Sequence, residues 1–432
     1  MPEADTRLGN RILIGLACGA AAGLLVHALA GAIPGLLPRA TWLAVNVLDP
    51  LGQIFLRLLF FVVLPLVFCS LAHGVLQLGD MRSLGRLASR TFAMFLLNMA
   101  IGTLLGLLMM NLLRPGDALG EPLRLQLVND YGGAAKAAIQ NQAQGPGLTL
   151  ATLVDMLLPR NLFGAFIGND RRALGDVLPL IVFAILVGIA GTRLAQRRHE
   201  QLREALEMAT EVMTGIVRLA LKLAPYAVPA LIFSVVVRIG PQVLLALGLF
   251  VAGCLAVLLL HLFGTMSLWL KLWAHVPPLQ FFRRIRTVLV TAFTTSSSNA
   301  TLPTALATAR DELGIRPQTA GFVLPLGTTM NMSGTALYEG CVVLFIAQVF
   351  GVELSLASQL TLLVLAVLSA VAVAGIPGGS LPLIAGLLIS FGIPPEGIGI
   401  ILGVDRLLDM TRTMVNVGCD LVTCQVVDRA AP

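Results

Sequence analysis

The chain has 432 residues, of which 57% are hydrophobic and only 12% charged, with a formal net charge of +6. Soluble domains carry about 25% charged residues, so the composition excludes an ordinary soluble globular protein, as does a mean hydropathy of +0.88. The basic excess does not point to nucleic acid, because it sits in short clusters between apolar runs.

In chain order, the N-terminus MPEADTRLGN has mixed charge and leads into the uncharged run 12–31. No small-residue cleavage site ends that run, which predicts a retained helix rather than a secretory signal. A second uncharged run, 243–260, is also close to the roughly 20 residues that a membrane span needs. Arginines cluster at Arg7 and Arg11, at Arg82, Arg86 and Arg90, at Arg193, Arg197, Arg198 and Arg203, and at Arg283, Arg284 and Arg286. An even number of apolar spans separates successive clusters. All four therefore fall on one side, which the positive-inside rule makes cytoplasmic, with both termini there. The Gly- and Gln-rich segment 115–150 falls outside. Residues 202–237 predict a helix that turns from amphipathic to apolar. The six cysteines lie in or beside apolar runs without metal spacing, which fits small packing residues.

The texture changes near residue 278. Up to 277 the spans read as plain helices, whereas 278–432 is broken in mid-span by polar, Gly- and Pro-rich tips. Two of these look alike: TTSSSNATLPTAL (294–306) and AGIPGGSLPLIAGL (374–387). Each is followed by a helix bearing polar residues, at 321–348 and 397–427. Non-helical backbone at membrane depth survives only where protein or a water-filled cavity satisfies it. Paired interruptions in corresponding halves point to a transporter's midplane site.

The last helix contains Asp405, Asp409, Arg412, Asn416 and Asp420. At 100° per residue they fall within roughly 80° of one another, as a single stripe. Four charges facing lipid would cost about 10 kcal/mol, so the stripe must face protein or a cavity. One arginine cannot neutralise three aspartates, so the surplus calls for a bound ion or a substrate ammonium. The fork of Arg412 suits a carboxylate. A stripe with both signs is what a zwitterion with an extra carboxylate needs. Upstream, LPLGTTMNMSGTALYEG (324–340) favours local unwinding, which frees carbonyls for a hard cation. Glu339 is a lone acid in that helix. It reads either as an interfacial or bridged carboxylate, or as a proton carrier, since burial favours a carboxyl's neutral form.

These residues resemble the dicarboxylate/amino acid:cation symporter family, the glutamate transporters. TSSSNATLP (295–303) and AGIPGGS (374–380) are similar to the tips of the family's two re-entrant hairpins. NMSGT (331–335) is similar to the signature of its unwound seventh helix, and DRLLDMTRTMVNVGCD (405–420) to its eighth. LPLVF (64–68), RPG (114–116), PRNLFGAF (159–166) and LAPYAVPALI (223–232) extend the resemblance over nearly the whole chain. It implies an all-α polytopic membrane protein with eight transmembrane helices, two re-entrant helical hairpins and inverted repeats, assembled as a homotrimer. An elevator motion would carry substrate across the cell membrane. Residues 1–277 would be mainly scaffold, with the third and sixth helices packing on the transport core at 278–432.

The resemblance also implies a site. Arg412 would bind the substrate's side-chain carboxylate with Thr335, and Asp409 the α-ammonium. Thr413 and Asn416 would hold the α-carboxylate end, with Ser298, Ile376 and Ser380 contributed by the tips. One sodium site would use Asp420 with carbonyls of Gly327, Asn331 and Asn416. A second would use Thr329, Met332 and carbonyls of Ala370, Val371 and Val373. No cofactor is implied beyond the transported cations. Having both Arg412 and Asp409 implies a glutamate or aspartate carrier. The chain departs from the family where Ser333 replaces an aspartate and Asn98–Met99 replace a Thr-Ser pair. These positions line a third sodium site in relatives, so fewer sodium ions are expected. Glu339 matches the proton acceptor of proton-coupled relatives.

Three rivals remain. An intramembrane serine protease needs a histidine base, and none of the five histidines lies in the last 150 residues, so it is not an enzyme on this reading. A passive channel fits closed tips and mixed charge poorly. A C4-dicarboxylate carrier is the nearest alternative.

Overall fold

The computed structural model describes residues 2–80, 85–120, 158, 160–167, 177–371, 373 and 378–430. Ile376, the tip residues 374–377, Pro159, Arg82 and most of 115–150 lie outside them. The described residues are helical throughout their regular structure, with no strand. The first half comprises α1 (Pro2–Leu29), α2 (Leu36–Leu43), α3 (Asp49–Phe61), α4 (Val63–Asp80), α5 (Gly85–Leu113), α6 (Leu162–Ile167), α7 (Val177–Gly191), α8 (Gln196–Leu221) and α9 (Ala224–Ile239). The chain bends by 57° between α8 and α9, where Pro225 opens the new helix with the φ it already prefers. α10 (Gln242–Leu260) runs on through π-type turns to Ala274. His275, left-handed at φ 52°, and the following prolines end it.

Beyond residue 278 the helices shorten. α11 (Pro278–Arg284) leads into a hairpin of α12 (Arg286–Thr295) and α13 (Ser298–Asp311). At 1.5 Å per residue, α12 is only about 15 Å long, half of a bilayer's hydrocarbon thickness. α14 (Pro317–Met330) and α15 (Ser333–Val349) form one run broken at Asn331–Met332. A second hairpin pairs α16 (Leu356–Val371) with α17 (Leu381–Ser390), and α18 (Ile398–Ala430) closes the chain. The runs Leu87–Ala118, Gln242–Ala274 and Pro317–Val349 are long and apolar enough to cross a membrane, and the bent pair α8–α9 makes a fourth. Among the described residues, the remaining apolar helices have 10–17 residues.

The core gathers around α15 and α18. Every residue of α15 is buried, and α18 packs against α12, α14, α15, α10 and α9. At its C-terminal end, Arg316 donates to Asp428 Oδ1 at 3.0 Å and Arg90 donates to the carbonyl of Ala430. α5 lies along α15 through Gly102 and Gly106, one turn apart. A Cβ on Gly106 would stand 2.7 Å from the Leu337 carbonyl oxygen, so only glycine permits this approach. Small residues are the usual device for close helix packing in lipid.

Gly106→Val is therefore expected to cost about 1–3 kcal/mol through overpacking. Gly248→Val, on an exposed face of α10 where a Cβ meets nothing within 4 Å, should be near neutral. Thermal unfolding in detergent, followed by size-exclusion chromatography, compares the two; equal melting temperatures would contradict the packing argument.

Candidate functional site

Both hairpin tips, the break between α14 and α15, and the middle of α18 converge. Each contributes backbone or side-chain polar groups that its helix cannot satisfy. In the first tip, Ser296 adopts φ 51° and Ser297 caps α13 by accepting from the Ala300 N–H at 3.3 Å. In the second tip, Gly378 takes φ 71° and donates its N–H to Asp409 Oδ2 at 3.2 Å. The break at Asn331–Met332 exposes the first amides of α15. A side chain of α18 takes them: Asn416 Oδ1 accepts from the Gly334 N–H at 2.7 Å and the Thr335 N–H at 3.3 Å. Asn416 thus caps α15 from another helix, while its amide donates to Thr335 Oγ1 and Met332 Sδ.

A cavity of about 20 Å³ lies among these elements, with room for about one water molecule. Of the anticipated substrate contacts, Ser298, Thr335, Ser380, Asp409, Arg412, Thr413 and Asn416 all line it. Ile376 lies outside the described residues. Ser296 and Gly379 also line it, and were not anticipated. The Ser380 hydroxyl and the Ser296 hydroxyl have no hydrogen-bond partner among the described residues. Thr413 donates to the Asp409 carbonyl at 2.9 Å.

The charged groups pair tightly. Arg412 is only 2% exposed. It donates to Asp409 Oδ1 at 2.5 Å and lies 3.5 Å from Asp405 Oδ1. Its guanidinium stacks 4.4 Å over the Tyr338 ring, and the Tyr338 hydroxyl donates to Asp405 at 2.9 Å. Tyr338 was missed by sequence reasoning, although it stands in the run that was singled out. Arg406 was also missed: its guanidinium lies 3.7 Å from Asp409 Oδ2. At about 100° from Asp405 it falls off the stripe, yet an arginine arm reaches back to its i+3 neighbour. This changes the charge count. Asp405 and Asp409 are matched by Arg406 and Arg412, and the surplus lies at Asp420.

Asp420 is buried on the same stripe, about three turns further along α18. Asn331 Nδ2 donates to its Oδ1 at 2.8 Å, and a Cβ on Gly327 would stand 2.4 Å from the same oxygen. Asn331 Oδ1 is buried without a partner among the described residues. A carboxylate, an orphan amide oxygen and a bare glycine backbone make an oxygen-donor set of the kind hard cations take. Of the second anticipated cation group, Met332 and Val373 share the cavity wall. Ala370 is buried at the end of α16, and its carbonyl accepts from the Val373 N–H at 3.3 Å. Val371 is half-buried beside it, and Thr329 turns its hydroxyl to the Leu326 carbonyl.

Glu339 sits one turn beyond Thr335, fully buried, with Ser369 beside it. Neither of its oxygens nor the Ser369 hydroxyl has a hydrogen-bond partner among the described residues. Asn98 uses both ends of its amide, donating to Thr423 and accepting from the Trp269 indole, each at 3.0 Å. Ser333 and Met99 are buried nearby on α15 and α5.

The chain is 30% identical over 405 residues to a proton/sodium-glutamate symport protein of Bacillus caldotenax, covering 94% of this chain and 91% of that one. It is likewise 30% identical to a proton/glutamate-aspartate symporter of Escherichia coli, covering 87% and 83%. A C4-dicarboxylate transport protein of Solibacter usitatus is also 30% identical, covering 91% and 88%. Residues 8–430 match the sodium:dicarboxylate symporter family, and with that match the chain belongs to this family of membrane transporters.

Proposed function

We propose that the chain is a secondary active symporter that imports an acidic amino acid, glutamate or aspartate, coupled to cations. One observation carries this reading. A buried carboxylate and a buried guanidinium, Asp409 and Arg412, stand one helical turn apart on the wall of a cavity that residues of both hairpin tips also line. An acidic amino acid offers each the opposite charge. Arg412 takes the side-chain carboxylate with Thr335, and Asp409 takes the ammonium. Asn416, Thr413, Ser298, Ile376 and Ser380 enclose the rest. The names of the Bacillus caldotenax and Escherichia coli relatives support the same substrate class.

A cation neutralises Asp420, held by that carboxylate with carbonyls of Gly327, Asn331 and Asn416. A second sits with Thr329, Met332, Ala370, Val371 and Val373. Glu339 carries a proton. Asn98, with both amide ends engaged, Met99 and Ser333 offer a poor third sodium site. The protein works as a homotrimer in the cell membrane, with eight spans, two re-entrant hairpins and both termini cytoplasmic. Residues 278–432 move as an elevator against a scaffold formed mainly by 1–277. A C4-dicarboxylate:cation symporter is the second reading, favoured by the Solibacter usitatus relative.

Two outcomes test this. In proteoliposomes, Asp409→Ser should cut aspartate uptake by about 10- to 100-fold, the worth of one charge-assisted hydrogen bond, and succinate uptake much less. Equal losses for both solutes would remove the ammonium role. Glu339→Gln should abolish the dependence of uptake on an imposed proton gradient while sodium-driven exchange of aspartate persists. Wild-type pH dependence in that variant would rule out Glu339 as the proton carrier.

A further inference from the structure

Arg406 is a charged residue of α18 that the symport reading does not use. Its guanidinium is 10% exposed and lies 3.7 Å from Asp409 Oδ2, the oxygen that also accepts the Gly378 N–H. Arg412 holds the other oxygen, Oδ1, at 2.5 Å. Asp409 therefore stands between two cations, of which Arg412 faces the cavity and Arg406 does not. The carboxylate that an incoming ammonium must use is already shared.

We propose that Arg406 is a positioning residue that sets the preference between acidic amino acids and C4-dicarboxylates by competing with the substrate for Asp409. The inference rests on the symport reading above. Its sign follows from charge alone. A fixed positive charge behind Asp409 opposes an ammonium at Asp409 and favours a second carboxylate there. An amino acid has to draw Asp409 away from Arg406, whereas a dicarboxylate leaves the Arg406–Asp409 pair intact. At an interior effective dielectric near 20, one charge a few ångströms behind the ligand changes the ratio of the two affinities by about tenfold or more. Water reaches this spot poorly, so screening by salt does little to reduce it. Among the described residues, the groups that share the field include Asp405, which pairs with Arg412 and Tyr338, and the Gly378 amide of the hairpin tip.

The test measures inhibition of labelled aspartate uptake by unlabelled aspartate and succinate in proteoliposomes. The ratio of the two inhibition constants is the readout, so the amount of folded protein cancels. Arg406→Gln and Arg406→Met should each move the ratio about tenfold towards aspartate. Arg406→Lys, which keeps the charge, should stay within about twofold of the wild type. An unchanged ratio in the neutral variants overturns the proposal. So does an equal shift in Arg406→Lys, which would assign the effect to shape. If the wild type takes up neither solute, the symport reading itself fails, and this inference falls with it. Aspartate uptake with an insensitive ratio sinks the Arg406 role alone.

Discussion

The structure depends on how four charges are held inside an apolar bundle. Asp405, Asp409, Arg412 and Arg406 are each at most about a tenth exposed. A buried charge persists only when it is paired and hydrogen-bonded, and breaking a buried pair by removing one partner costs about 3–5 kcal/mol. The pairing is not a chain of isolated bridges. Arg412 touches both aspartates and lies on Tyr338, which itself bonds Asp405. Since Tyr338 belongs to α15 and the charges to α18, the network fixes the two helices against each other. α15 has no exposed face from which to yield, being buried along its whole length. The register of the core thus follows from the need to keep these charges paired.

The same stripe solves a second problem. Two hairpin tips and one broken helix leave backbone amides without intrahelical partners at the depth of the core. Lipid would supply none. α18 supplies them: Asn416 caps α15 across the break, and Asp409 holds the second tip through Gly378. Interruptions that look like defects in one segment are matched by acceptors in another. Polar residues on α18 are therefore structural before they are functional, and a variant at Asn416 changes the start of α15 as well as the cavity wall.

Much of this was legible in the sequence. The stripe follows from counting at 100° per residue, and the tips follow from small residues before Leu-Pro. The composition of 324–340 locates the break, which falls at Asn331–Met332. What escaped is what depends on reach and on neighbours. Arg406 lies off the stripe by its Cα position, and only its long side chain brings it to Asp409. Tyr338 reads as one more core aromatic until Arg412 is seen above it. The capping role of Asn416 needs both helices in place. The close approach of α5 to α15 rests on Gly102 and Gly106, and their spacing, though visible in the sequence, does not name the partner helix. Helices were also harder to count than to detect, because apolar runs in the first half are divided by π-type turns and bends rather than by polar residues.

The geometry constrains how solute and cation can be linked in the proposed symport. Between its described lining residues the cavity has room for about one water molecule, and its two charged anchors hold each other. Admitting a solute therefore exchanges an internal ion pair for two external ones. Asp409 Oδ2 also holds the Gly378 amide, so this exchange bears on the second tip. The surplus negative charge lies elsewhere, at Asp420, bonded to Asn331. Asn331 and Met332 are the two residues of the break, and Met332 accepts from Asn416, which also bonds Thr335 on the cavity wall. A cation drawn to Asp420 would act on one side of that break, and a solute at Arg412 and Thr335 on the other. Two sites joined by a two-residue break can bias each other without a long path between them, because any shift of Asn331–Met332 changes the partners of both.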